Sequence, residues 1–93
     1  MLHIVKQHRH LSDVLMYLYQ GDAILLLEDA VYAALPTHKA HSLMAKAKCK
    51  QFVLAEDANA RGLMLSNDSK IMVIDFAGFV ELTVEHSQSL TWD

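Results

Sequence analysis

The sequence predicts a small α/β domain, a three-layer doubly wound arrangement with a mainly parallel sheet of four or five strands between helices. Short, mostly apolar runs recur at Leu2–Val5, Ala23–Leu27, Gln51–Ala55 and Lys70–Ile74, each closed by polar or turn-forming residues. The stretches between them carry helix caps and helically spaced apolar residues, and strands alternating with helices are joined by right-handed crossovers into a parallel sheet. Ala23–Leu27 is apolar at every position, which suits an inner strand covered on both faces.

Taken in order, Leu2–Val5 opens the chain as a strand. After the polar Lys6–His10, Ser12 and Asp13 offer a cap for a helix carrying Val14, Leu15, Leu18 and Tyr19, and Gly21 is placed to end it. Asp29 is expected to cap the small-residue helix after the second strand, which Pro36 and Thr37 break. His38–Lys48 sets Leu43, Met44 and Ala47 on one stripe of a further helix. Beyond the third strand, Glu56 and Asp57 open a short helix closed by Gly62, and Ser66–Ser69 form a polar turn into the fourth strand, which Asp75 ends. The spacing of Phe76, Phe79, Val80 and Thr83 favours a helix over the strand character of Leu82 and Val84. Ser87–Asp93, polar except for Leu90 and Trp92, reads as a short edge element or a docked tail. No repeat, low-complexity tract or linker interrupts residues 1–93, which are read as a single domain.

A chain of 93 residues buries a smaller share of its surface than a longer one, so its stability margin is thin and a partner subunit is a natural remedy. Apolar residues make up 53% and charged residues 20%, too greasy for disorder and slightly above an ordinary soluble domain. Ala23–Leu27 falls far short of the roughly 20 residues of a membrane span, and MLHIVKQHRH lacks the apolar core of a secretory signal. A lone cysteine, Cys49, forms no intramolecular disulfide, so a reducing compartment and a cytoplasmic location are expected. A formal charge of -3 argues against a domain that grips nucleic acid alone. The lysines Lys46, Lys48 and Lys50 read as a solvated edge.

Acids end three of the four strands: Glu28 and Asp29, Glu56 and Asp57, then Asp75. In a parallel sheet they share one rim, where a metal or phosphoacceptor pocket competes with simple helix capping as the explanation. The first strand ends in Lys6, and no late-strand lysine is placed to complete a receiver-type pocket. Gly21, Gly62 and Gly78 stand alone, so no glycine-rich phosphate loop can be drawn, no G-x-S-x-G occurs, and no cofactor is expected. Among the six histidines, the pairs His8 with His10 and His38 with His41 lack two further zinc ligands, and no metal is expected. Cys49, flanked by Lys48 and Lys50, is the one candidate catalytic residue, because adjacent ammonium groups favour thiolate. Its place at the amino-terminal end of a strand, away from the rim, favours a small buried residue instead. Tyr32 and Trp92 are the aromatics expected to remain partly exposed.

The blocks MLHIV, GDAILLLEDAVYAAL, FVLAEDANARGL, VIDFAGFVELTVEH and SQSLTW, in that order, resemble the TusB and DsrH branch of the DsrE-like sulfur-relay proteins along nearly the whole chain. The resemblance implies a subunit of a cytoplasmic complex with TusC-like and TusD-like relatives, a dimer of heterotrimers. That complex relays persulfide sulfur toward 2-thiouridine at the wobble position of transfer RNA, which this chain meets only indirectly. In the family the sulfur-carrying cysteine belongs to the TusD-like subunit. DsrH relatives bear one in the first helix, where this chain has Ser12, Asp13, Val14, Leu15, Met16 and Tyr17. That departure points to the TusB side and carries over no catalytic residue.

The expected role is therefore a non-catalytic subunit that buries surface around Val31, Tyr32, Phe76 and Phe79 against related chains. Two rivals stand beside it: a sulfurtransferase subunit carrying persulfide on Cys49, and a homodimeric binding module with an acidic rim.

Overall fold

A computed structural model describes residues 1–65 and 70–93. Five strands, β1 (Leu2–Val5), β2 (Ala23–Leu26), β3 (Lys50–Leu54), β4 (Ile71–Ile74) and β5 (Ser89–Trp92), form one sheet in the order β4-β3-β2-β1-β5. Every pairing is parallel, with β1 in register with β2 from Leu2 opposite Ala23 and with β5 from Leu2 opposite Ser89. The helices are α1 (Leu11–Met16), α2 (His41–Lys46), α3 (Ala55–Ala60) and α4 (Phe76–Glu85), with 3-10 segments at His8–His10 and Glu28–Ala34.

This order explains the layering. From β1 to β4 the chain steps one way across the sheet, so right-handed crossovers place their helices on one face. The return from β4 to the far side of β1 runs the other way and lays α4 on the opposite face. Strand residues alternate between the two cores as a period of two demands. Ile24, Leu26 and Val53 pack with Leu11, Val14, Val31 and Met44 on the first face, while Leu25, Phe52 and Leu54 pack with Leu82 on the second. Each such aliphatic side chain contributes about 1.5–3 kcal/mol when fully buried. The second face has a single helix over it, and that asymmetry governs what the protein exposes.

Several boundaries differ from the sequence reading. Ser12 and Asp13 lie inside α1, which follows directly on the 3-10 turn with His10 as N-cap and no side-chain cap hydrogen bond. This helix stops at Met16, and Gly21 at φ +90 serves the turn into β2 rather than a helix end. Asp29 caps nothing: Leu27 holds the N-cap of a 3-10 segment that makes no side-chain cap bond. That segment ends at extended Leu35, because a residue before proline is driven out of the helical region. The third strand starts and stops one residue earlier than expected, at Lys50 and Leu54, so that Ala55 already belongs to α3. Gly62 at φ +70 does close α3, its N–H donating to Asn59 O. Phe76 opens a helix as expected, and the tail forms edge strand β5. The turn expected at Ser66–Ser69 lies outside the described residues.

Candidate functional site

The parallel sheet brings all five predicted acids to its carboxyl rim, together with Lys6 after β1 and Asp93 after β5. Asp57 Oδ2 accepts from the Glu28 N–H (2.6 Å), Glu56 Oε2 from the Phe76 N–H (3.1 Å), and Asp75 Oδ1 from the Gly78 N–H (2.9 Å). The two acids of α3 thus bind the start of each neighbouring element, and Asp75 caps its own helix. Glu28 sits at φ +48, a left-handed conformation costly for a side chain with a Cβ; the Asp57 bond holds it there. Lys6 Nζ lies 3.3 Å from Asp93 Oδ1 and 3.8 Å from Glu28 Oε2, and Asp93 foremost holds its ammonium above the usual lysine range. The carboxylates are occupied with tying strand ends together.

Beside the rim, His8 Nε2 approaches Asp29 Oδ2 at 3.6 Å and stacks edge-on with His38 at 4.7 Å, while the Tyr32 ring lies 6.2 Å from His38. His38 Nδ1 accepts from the Ala40 N–H, and His41 Nδ1 bonds Ala33 O. Among the described residues no group of three His, Cys, Asp or Glu is arranged to hold a metal ion. Tyr32 is half-buried, but Val31 is 0% exposed within the first core. The expectation that Val31 faces a partner is corrected: in the 3-10 segment it points at Val5 and Leu26's cluster, leaving its neighbour Tyr32 outward.

The sequence reading missed a buried polar cluster at the opposite edge. Asp22 Oδ1 binds the Met1 ammonium at 2.9 Å, and Asp22 Oδ2 receives His3 Nε2 (2.9 Å) and the Tyr19 N–H (3.0 Å). The Trp92 indole N–H only donates, so His3 Nδ1 accepts it at 3.1 Å and Nε2 carries the proton offered to Asp22. Burial pushes the Asp22 carboxyl up, but the Tyr19 N–H, the Met1 ammonium and His3 together bring it down to about 2. A histidine inside an apolar strand, with an aspartate just before the next, was the available signal. Trp92 is thereby committed to its own fold, stacking also with Tyr17 at 5.8 Å.

Cys49 lies at this same amino-terminal edge, across the sheet from the rim. It borders a groove of about 780 Å³ lined also by Lys50, Lys70, Met72, Glu81 and Glu85. Burial pushes its thiol up, against the pull of Lys70, whose Nζ donates to Ala47 O. A thiol raised in this way is less ionised at neutral pH than a free one, the reverse of what a persulfide carrier needs.

On the second face, α4 turns Leu82 to the sheet and presents Phe76 (60% exposed), Val80 and Val84 (79%) to solvent. Phe79 is half-buried against the core and meets Phe76 edge-on at 5.9 Å. Residues 5–89 match the family described as DsrH like protein. The chain belongs to the DsrH-like family. Relatives named Protein TusB are similar to it from end to end: that of Shigella dysenteriae serotype 1 is 38% identical over 99% of this chain and 100% of the relative. Those of Escherichia coli O139:H28 and Shigella boydii serotype 18 are 40% identical with the same coverage. The DsrH-like match takes in the rim acids at 28, 29, 56, 57 and 75, Cys49 and the whole of α4. No helix among the described residues of this DsrH-like chain is long and apolar enough to cross a membrane.

Proposed function

We propose that the chain is a non-catalytic subunit of a cytoplasmic sulfur-relay complex that supports 2-thiolation of the wobble uridine of transfer RNA. In this reading it assembles with TusC-like and TusD-like subunits as a dimer of heterotrimers and meets transfer RNA only through them. The end-to-end similarity to proteins named TusB carries the reading. Physical features support a structural role: the Glu56, Asp57 and Asp75 carboxylates bind N–H groups at the starts of elements, the one thiol is raised by burial, and an apolar helix face stands open. Tyr32, Phe76 and Phe79 are the residues proposed to meet the related subunits.

The chain should co-purify with its relatives, and its deletion should lower thiolated transfer RNA. Unchanged thiolation in the deletion strain would sink the reading. Cys49→Ser separates the subunit from a sulfurtransferase, since a persulfide carrier loses all transfer with that change and a structural subunit loses none.

A further inference from the structure

We propose that the outward face of α4 seats an apolar helix of a different protein, one whose flank carries Lys or Arg side chains that meet Glu81 and Glu85. The inference rests on reading this chain as a subunit, and adds the surface and the chemistry of its occupant.

The geometry starts from Gly78, where an added Cβ would stand 2.9 Å from Ile74 Cβ, and from buried Leu82, which together fix the side of α4 pressed on the sheet. Phe76, Val80 and Val84, four residues apart, form a stripe on the far side and are 60%, 46% and 79% exposed. A helix apolar on both sides belongs between two layers, and only one of them, the sheet, is supplied by this chain. Such an unpartnered stripe marks a contact surface.

Charge selects the occupant. Glu81 and Glu85 are the charged residues of α4, both exposed and both on one flank of the stripe. No ion pair holds either of them among the described residues. A second copy packed antiparallel about a two-fold axis would bring the glutamates of both copies into the same seam, which like-charge repulsion opposes. Parallel packing would instead bring together the helix starts, each carrying Asp75 and Glu56. A partner helix with a basic flank turns the same carboxylates into attraction and sets the register.

Two synthetic amphipathic helices with the same leucine stripe, one flanked by Lys and the other by Glu, test this against the full chain by fluorescence anisotropy. The Lys-flanked helix should bind at least about tenfold more tightly, the exposed-site double change E81K/E85K should reverse that order, and Val80→Asp should abolish both signals. Equal binding of the two helices, no binding of either, or an unreversed order with E81K/E85K would overturn the proposal. So would a concentration-dependent dimer in sedimentation velocity that Val84→Asp abolishes, because the occupant would then be a second copy. Unchanged thiolation in the deletion strain would remove the relay reading alone, leaving the peptide ranking to judge this surface.

Discussion

Asp22 is 7% exposed, yet it stays charged because a backbone N–H, an ammonium and an imidazole converge on it. Its folded value, about 2 against an ordinary 3.8, makes the stabilisation fully present above the ordinary value. That contribution is lost as pH falls through about 2. Asp22→Asn should cost on the order of 1–2 kcal/mol at pH 7, measured by urea unfolding, and the gap from the parent should close toward pH 2. A gap that stays constant with pH would assign the cost to packing instead. At the rim, Asp75→Ala removes a helix cap and should cost about 1 kcal/mol, by the same measurement. The acids at 28, 29, 56, 57 and 75 were legible because charge at strand ends is a local pattern. Which N–H each one binds was not, since Asp57 and Glu28 meet only once β2 and β3 lie side by side.

At the scale of elements, α4 shows how a small residue can be fixed by a neighbour rather than by its own conformation. Gly78 sits in a helix, where alanine would ordinarily gain about 1 kcal/mol in propensity. Here the added methyl would press on the branched Cβ of Ile74, which cannot swing away. Gly78→Ala should therefore destabilise by roughly 1–2 kcal/mol, read as a lower thermal midpoint; a raised midpoint would show that strand β4 yields. The helix itself was predictable from the spacing of Phe76, Phe79 and Val80. The caps of α1 and of the Glu28–Ala34 segment were misplaced, because both elements follow tight 3-10 geometry dictated by the chain leaving the sheet rim and by Pro36.

At the scale of the whole molecule, one face of the sheet is covered by α1, the 3-10 segment, α2 and α3, and the other by α4 alone. An open apolar stripe on a chain of 93 residues makes stability dependent on company. Ligation stabilises by mass action, about 2.7 kcal/mol when a partner is present at a hundredfold its dissociation constant. The chain should accordingly unfold at a lower temperature alone than in its complex, with the gap growing with partner concentration in calorimetry. An identical midpoint in both states would argue against α4 being a buried interface.

The sequence alone determined the α/β alternation, the acids at the strand ends, the helical nature of 76–85 and the family resemblance, because each is written in neighbours along the chain. Only the tertiary structure decided that Val31 belongs to the core and that His3, Asp22 and Trp92 form one buried cluster. Those facts depend on the strand order β4-β3-β2-β1-β5. Strand order is set by which surfaces bury best together, and no local window of residues contains it.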